Sequence, residues 1–213
     1  RAIESRNRAL DALRATTGED VEKLIGAKKV LSQNERAYLE AIAKRWQVFA
    51  AGEATDELSR QISGEGHLRV ADLLDQLGRR EDALLEYEQA EKMYRELATE
   101  FPKIADYTDG LATCCNNLGL ALDHLGRRVE AQARLRDGLA INQKLTNEFP
   151  ERAEYRLSLA GNYHNLAIIS DALGDKAGAL ESYRQGLGIE EKLANEFADQ
   201  PEYRSRLAVS HSN

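Results

Sequence analysis

The chain has 213 residues, of which 42% are hydrophobic and 31% charged, and its formal net charge at pH 7 is -7. This charge disfavours nucleic acid as a partner, because phosphate binding requires a surplus of Lys and Arg clustered on one face. No apolar run approaches the roughly 20 residues that a membrane-spanning helix needs, so we expect a soluble segment with no direct membrane insertion. The two cysteines, Cys114 and Cys115, point in different directions on a helix, which predicts buried free thiols rather than a disulfide or a zinc site.

Residues 1–60 are predicted to form a degenerate helical segment that caps the N-terminal end of the fold. Residues 17–20 indicate the start of one helix, which ends near Gly26. Ser32 and Glu35 have the spacing of a capping box, and a broad apolar face follows them as far as Ala50. The arginines of the first 14 residues make the start locally basic. This pattern indicates either a solvated helix face or a segment lying next to a membrane in a longer protein.

From residue 61 to residue 213 the sequence repeats itself with a period of 48 residues. The columns that keep this step are Gly78, Gly126 and Gly174; Phe101, Phe149 and Phe197; Tyr107, Tyr155 and Tyr203; and Asn117, Asn165 and Asn213. A fixed internal period of this size is typical of a solenoid, in which each repeat buries its apolar face against its neighbours.

Each period holds two predicted helices. In the second copy, an apolar stripe over residues 107–125 predicts a helix A, and a stripe over 131–145 predicts a helix B. Gly126 lies where the end of helix A requires a residue that adopts positive φ, and Pro150 ends helix B. We therefore predict an all-α fold without strands, an α-solenoid of antiparallel helix pairs. Its repeats are expected at about 62–102, 103–150 and 151–198, with a truncated fourth helix A at 199–213.

The order of small and large residues within the period resembles a known family. The second copy reads Leu118-Gly119, Gly126, Ala131, Leu135 and Gly138, and the first and third copies place similar residues at these positions. This order resembles the signature of the tetratricopeptide repeat. The resemblance implies a right-handed superhelix in which Ala131 permits close approach of the two helices and Leu135 fills the gap between them. The usual period in that family is 34 residues, so the form found here implies a long variant with extra turns on each helix.

A second resemblance concerns the parent protein. Residues 145–150, which read LTNEFP, and the Asn165-Leu166-Ala167 run are similar to repeats found C-terminal to the kinase and membrane span of planctomycete-type bacterial Ser/Thr protein kinases. The resemblance implies that the full-length parent is a transmembrane Ser/Thr kinase and that this segment is extracytoplasmic; the localisation is otherwise left unknown. The chain lacks an initial Met and stops within a repeat, so we expect it to be cut from a longer protein.

The sequence contains no recognisable catalytic or metal-binding pattern. None of the four histidines has the i, i+4 partner and nearby acid of a metal-binding helix, and no Gly-rich phosphate loop or nucleophile elbow occurs. We therefore predict a segment that is not an enzyme and that holds no cofactor and no metal.

The family resemblance implies that a partner binds on the concave wall made by successive helices A. The candidate partner-binding residues on this wall are Asp72, Asp75, Asn116, Asn117, Leu120, Asp123, His164, Asn165, Ile168 and Asp171.

Three of these candidates, Asp75, Asp123 and Asp171, are separated by the 48-residue period. A carboxylate in the last turn of a helix opposes the helix dipole, so something should offset its cost. One interpretation is an acidic stripe that attracts a basic ligand. The other is pairing with the basic side chains that follow, which are Arg79, Arg127 and Lys176.

The asparagine column also leaves two alternatives. An amide at Asn117 or Asn165 donates and accepts at once, so it is suited to hold the backbone of a bound peptide. The same chemistry allows it to bridge adjacent helices instead.

The leading hypothesis is a non-catalytic scaffold or sensor module that binds a protein or peptide within a larger signalling protein. The alternative is a spacer or self-association module without a defined ligand. The apolar residues Leu120 and Ile168 favour the first, because a spacer needs only a solvating wall. Leu207 and Val209 are predicted to lack cover on the truncated last helix, which would allow self-association through the C-terminus.

Overall fold

The computed structural model describes residues 8, 10–14, 31–52 and 55–210. Within these ranges there is no strand, and the all-α prediction is confirmed. The helix predicted to begin at 17–20 lies outside the described residues. The helices are α1 Gln33–Ala50, α2 Glu57–Gln76, α3 Arg80–Glu100, α4 Ala105–His124, α5 Arg128–Glu148, α6 Ala153–Ala172, α7 Lys176–Glu196 and α8 Pro201–Ser210.

The chain divides into two compact units, Arg1–Glu86 and Tyr87–Asn213. In the first unit α1 begins with the predicted capping box: the Ser32 hydroxyl accepts from the Glu35 N–H at 3.4 Å, and the Glu35 carboxylate accepts from the Ser32 N–H at 2.7 Å. The reciprocal bonds satisfy two backbone donors that would otherwise lack partners at a helix start. Helix α1 packs against α2 around the buried Trp46.

Each helix A ends in the same turn. In α4 the Gly126 N–H donates to the Asp123 carbonyl at 2.8 Å, and the Arg127 N–H donates to the Leu122 carbonyl at 2.9 Å. These two bonds form a Schellman motif, which requires the residue after the helix cap to be left-handed. Glycine meets that requirement without strain, since it has no Cβ. The predicted positive φ is confirmed at all three turns, with 77° at Gly78, 77° at Gly126 and 85° at Gly174.

The second unit stacks consecutive helices. Helix α4 packs on α5, α5 on α6, α6 on α7 and α7 on α8, and α4 also touches α6. At the contact of α4 with α5, a Cβ placed on Gly119 would lie 2.7 Å from Leu135 Cγ, and Ala131 is fully buried. The roles predicted for Ala131 and Leu135 are thus confirmed. Sequential packing of short-linked helices is the arrangement of an α-solenoid.

An aromatic pair closes each connection from a helix B to the next helix A. The ring centroids are 6.1 Å apart for Phe101 and Tyr107 and 5.9 Å apart for Phe149 and Tyr155, both edge to face. The third pair, formed by Phe197 and Tyr203, is stacked at 5.0 Å. The two aromatic columns seen in the sequence therefore share one packing role.

Helix α8 is the least covered element of the second unit. None of its residues, all of which are described, is buried, and Val209 exposes 61% of its surface. Self-association through this helix stays a prediction.

Candidate functional site

The wall made by α4 and α6 carries a chain of asparagine side chains. The Asn165 amide donates to the Asn116 Oδ1 at 3.0 Å, and the Asn116 amide donates to the Asn117 Oδ1 at 3.4 Å. Of the two interpretations of this column, Asn165 follows the structural one, because it bridges helices of successive repeats. Its partner is Asn116, which lies one residue before the column that the sequence period identified.

The basic residues that follow the aspartate ladder form other ion pairs, and their pairing with the ladder itself stays a prediction. Arg127 pairs with Glu130 at 2.7 Å, and Arg79 pairs in the same way with Asp82, each within the first turn of the following helix. Asp123 instead lies 3.2 Å from the Nε of Arg128. An acid in the first turn of a helix is favoured by the helix dipole, so it competes well for the arginine that precedes it.

The other ladder positions differ in their exposure. Asp171 is exposed at the end of α6, and within the described ranges it has no ion pair with Lys176. Asp72 and Asp75 are half-buried on α2 in the first unit. An exposed carboxylate such as that of Asp171 is suited to attract a basic partner, although it is worth little by itself.

The candidate His164 points into the packing between α6 and α7 rather than out from the wall. Its Nε2 lies 3.3 Å from Oε2 of the buried Glu190 and 3.4 Å from the hydroxyl of Ser210, and its ring lies 6.0 Å from that of Tyr183. The side chain is only 14% exposed. His164 is therefore largely engaged within the fold, and its part in partner binding stays a prediction.

Two apolar candidates remain available at the wall. Ile168 is 50% exposed and Leu120 is half-buried. A medium-sized apolar side chain exposed on a helix is common, so these residues extend a surface rather than define a site.

A pocket of about 390 Å³ opens between the helices A of the second unit. Its lining comes from α4, α5, α6 and α8, and includes two of the predicted residues, Asn116 and Asn165. The full lining is Ala112, Thr113, Asn116, Asn142, Glu154, Leu157, Ser158, Gly161, Asn162, Asn165 and Arg206.

Two residues that line the pocket stand where the previous repeat has a closely packed pair. Between α3 and α4, the ring of Tyr94 covers Gly110 so closely that a Cβ on Gly110 would collide with it. One period later the corresponding residues are Asn142 and Ser158, since 142 - 94 = 48 and 158 - 110 = 48. Both of these residues line the pocket. A short amide at Asn142 thus takes the position of an aromatic ring in the previous repeat.

Two buried amides at the pocket have atoms without hydrogen-bond partners in the described part of the chain. They are both polar atoms of Asn162, which is 1% exposed, and Oδ1 of Asn142, which is 3% exposed. An unpaired buried polar group costs about 1–3 kcal/mol, and native proteins contain few of them. Gly138 gives Asn162 its room, because a Cβ at that position would lie 2.8 Å from the Asn162 Nδ2. Sequence reasoning missed Asn142 and Asn162, although each breaks an apolar column, after Tyr94 and Cys114 respectively.

The charged residues at the pocket are paired. Glu154 lies 3.3 Å from Arg152, and Arg206 lies 3.4 Å from Glu202. Near the Glu154 side, burial raises the pKa of the Asp109 carboxyl, and the carboxylates of Asp106 and Glu154 raise it further. The opposite charges of Glu154 and Arg206 therefore leave the pocket close to neutral.

The described residues offer no group of three or more His, Cys, Asp or Glu side chains that could hold a metal ion. Both Cys114 and Cys115 are buried free thiols, as predicted. Burial raises the pKa of the Cys115 thiol to about 11, and the carboxylates of Glu91 and Asp137 add to the shift. Since the thiolate is the reactive form, this cysteine is poorly suited to nucleophilic chemistry. A search of the described helices for one long and apolar enough to span a bilayer finds none.

Antiparallel helices packed in sequence, with a groove along the helices A, define a helical repeat protein of the α-solenoid class. Residues 111–150 and residues 160–193 each match the family described as Tetratricopeptide repeat. The two matches support tetratricopeptide-type repeats in these segments and, with them, a protein-interaction scaffold. Repeats of this kind are generally non-catalytic, which agrees with a segment that is not an enzyme.

The solved structure of BtubC (BKLC) from P. vanneervenii is similar, with 19% sequence identity and a TM-score of 0.59, over 99% of this chain and 82% of that chain. This likeness supports the fold. A MamA RS-1 ArsTM double mutant matches at 15% identity and a TM-score of 0.27, covering 88% of this chain and 97% of that one. MamA 41-end from Desulfovibrio magneticus RS-1 matches at 14% identity and a TM-score of 0.25, covering 76% and 98%. No curated protein matches the sequence.

Proposed function

We propose that this chain binds a protein or peptide along the groove of α4, α6 and α8, with the pocket at Asn142 and Asn162 as its centre. The observation that carries this proposal is the combination of an open volume with unpartnered buried amides. Concave pockets with a few convergent polar groups are the usual form of a binding site. A spacer without a ligand has no use for either feature, and its core would be more stable with the pocket filled.

The candidate residues take different places in this proposal. Asn116 and Asn165 border the pocket, while Asn117, Leu120 and Ile168 extend the surface along the wall. Asp123 and Asp171 are proposed to act at a distance, by attracting a basic segment of the partner. Asp72 and Asp75 belong to the first unit and stay candidate partner-binding residues there.

A variant that fills the pocket tests whether peptides bind in the groove. Gly161 lines the pocket, and a Cβ added there meets nothing within 4 Å, so Gly161→Leu fills the pocket without displacing the fold. Gly188, on α7, is a matched control because a Cβ meets nothing within 4 Å there either, and it does not line the pocket. Peptides are first selected from a random display library on the wild-type chain, then synthesised and titrated by calorimetry.

We expect Gly161→Leu to weaken binding of the selected peptides by more than tenfold, while Gly188→Leu binds as the wild type does. If Gly161→Leu binds the peptides as tightly as the wild type does, the peptides bind elsewhere on the chain. Selection of no peptide at all would favour the spacer or self-association module.

The basic character of the partner has its own test. In Asp171→Lys the charge at the exposed end of α6 is reversed, so selected peptides rich in Lys or Arg should associate more slowly. The effect should shrink as salt is added, because exposed charges are screened. An association rate at low salt that is the same for Asp171→Lys and the wild type would contradict a basic partner. It would not affect the proposal that peptides bind at the pocket.

We also propose that the chain is the scaffold or sensor part of a larger signalling protein, a transmembrane Ser/Thr kinase. Only the resemblance of residues 145–150 and of the Asn165-Leu166-Ala167 run supports this. Sequencing the gene upstream of this segment is a direct test, since a kinase would show a Gly-rich loop and a catalytic loop with its Asp and Asn. An upstream region without these motifs would exclude the kinase parent.

A further inference from the structure

Two side chains that line the pocket carry opposite charges and are open to solvent. Glu154 lies in the first turn of α6 and exposes 61% of its side chain, and Arg206 lies on α8 and exposes 55%. The other lining residues are uncharged. A group that enters the pocket therefore reaches one negative and one positive charge.

Both charged groups keep atoms that no described residue bonds. The Arg152 Nη1 lies 3.3 Å from Oε1 of Glu154, which leaves the other oxygen, Oε2, without a partner in the described ranges. Glu202 lies 3.4 Å from the Nε of Arg206, which leaves both Nη groups of that guanidinium unpaired there. Exposed ion pairs of this kind contribute little to stability, so they compete only weakly with a ligand.

The repeat explains one of the two charges and not the other. The positions one period before and after Glu154 hold Asp106 and Glu202, since 154 - 106 = 48 and 202 - 154 = 48. An acid in the first turn of a helix is favoured by the helix dipole, which accounts for this column. One period before Arg206 stands the uncharged Ser158, since 206 - 158 = 48. Arg206 thus places a charge at the pocket that the repeat does not require.

Carboxylates near Glu154 repel one another. Burial raises the pKa of the Asp109 carboxyl, and the carboxylates of Asp106 and Glu154 raise it further. Arg152 is the counter-charge of Glu154, and its guanidinium also lies 5.6 Å from the centroid of the Tyr155 ring. A cation brought to Glu154 therefore relieves part of this repulsion.

We infer that the pocket selects a peptide segment with side chains of opposite charge, an acidic one that pairs with Arg206 and a basic one that pairs with Glu154. A neutral segment gains neither pair, and a segment with one charge pairs with one residue and is repelled by the other. The inference rests on the proposed function in one respect, namely that the pocket is where a peptide binds. The partner thus carries acidic as well as basic residues.

The test uses three tripeptides that are acetylated at the N-terminus and carry an N-methylamide at the C-terminus, so that their side chains hold the only charges. They read Lys-Ala-Glu, Gln-Ala-Glu and Lys-Ala-Gln, because alternate residues of an extended peptide lie on the same side. Binding to the full chain at low salt is followed by NMR through the backbone amide signal of Gly161, which lines the pocket. We expect a saturable shift with the doubly charged probe and about two- to fivefold weaker binding of each singly charged probe. The difference should shrink as salt is added, because exposed charges are screened.

Two variants assign each charge of the probe to its partner. In Arg206→Gln the preference for Lys-Ala-Glu over Lys-Ala-Gln should vanish, while the preference over Gln-Ala-Glu remains. Glu154→Gln should have the converse effect. Arg136→Gln and Glu191→Gln are the matched controls and should change neither preference, because both residues are exposed and neither lines the pocket. A melting curve for each variant shows that the fold is kept.

Equal affinity for the three probes, or no saturable shift with any of them, overturns the inference. A preference that survives in both Arg206→Gln and Glu154→Gln overturns it as well. If the probes show no preference while selected peptides still bind and Gly161→Leu blocks them, the groove function stands and the charge inference falls. If the preferences follow the two variants but Gly161→Leu binds the selected peptides normally, the pocket holds charged tripeptides as inferred and the proposed groove site for the selected peptides falls.

Discussion

Two interfaces of the second unit are built from the same repeat and differ in what fills them. Between α3 and α4, Tyr94 lies directly over Gly110, and the contact is closed. Between α5 and α6, Asn142 and Ser158 hold the same positions, and both line the pocket of about 390 Å³ that opens between the helices A. A repeat array therefore changes a structural contact into a candidate site by replacing a few side chains, while the backbone pattern is kept.

The largest expected effect is the loss of stability when the side chain that fills the α3–α4 contact is removed. Tyr94→Ala removes a buried ring and leaves a cavity, so it should lower the free energy of unfolding by about 3–5 kcal/mol. Asn142→Ala, its counterpart in the open interface, should cost less than about 1 kcal/mol because little packing is lost. Urea denaturation of the two variants measures the contrast. Similar losses would show that the open interface is packed as tightly as the closed one.

The buried thiol of Cys115 gives a test of whether water reaches the interior of the second unit. Burial raises the pKa of Cys115 from 9.0 to about 11, so between these values the unfolded chain loses a proton that the folded chain keeps. Stability should therefore fall as the pH rises through this window, by about 2–3 kcal/mol for this group. Subtracting the same pH series for Cys115→Ala isolates the contribution. A pH dependence identical in the two proteins would mean that water reaches the thiol.

Two glycine substitutions should have opposite signs. A Cβ at Gly110 collides with the Tyr94 ring, so Gly110→Ala should destabilise the chain by about 1–3 kcal/mol. A Cβ at Gly161 meets nothing within 4 Å, so Gly161→Ala should stabilise it by about 0.5–1 kcal/mol through helix propensity. Thermal unfolding of both variants tests these two predictions. A loss of stability in Gly161→Ala would contradict an open pocket.

The smallest expected effect is a gain in stability at the pocket. Asn162→Cys removes two unpartnered buried atoms and restores the residue of the previous repeat, so it should raise the free energy of unfolding by about 1 kcal/mol. Chemical denaturation of the unliganded protein is the measurement. A loss of stability would indicate that bound water pairs the Asn162 amide in the unliganded state.

Local features were predictable from the sequence, because their causes lie within a few residues. The Ser32 capping box and the positive φ of Gly126 follow from short-range backbone requirements. The helix pairs follow from apolar periodicity combined with the repeat.

The site was less predictable, since it depends on which side chains of different helices meet. Asn165 was placed on the wall, yet its bond to Asn116 depends on the spacing of α4 and α6. The contact of His164 with Glu190 joins residues 26 positions apart, since 190 - 164 = 26, on facing helices. The pocket is lined by residues of four helices, and the meeting of side chains from different helices leaves only a weak trace in a single sequence.

The amide bond between Asn165 and Asn116 has a mechanical consequence for the wall. It links helices A of successive repeats, so it resists their separation when the array is stretched. A neutral hydrogen bond that is half-open to solvent is worth about 0.5–1.5 kcal/mol, which is between one and three times thermal energy. Thermal motion therefore breaks and remakes this link frequently, while the packing of α5 between the two helices holds their order. The distance between the two helices can therefore vary without any helix unfolding. A ligand wider than the groove would enter at a small cost in free energy.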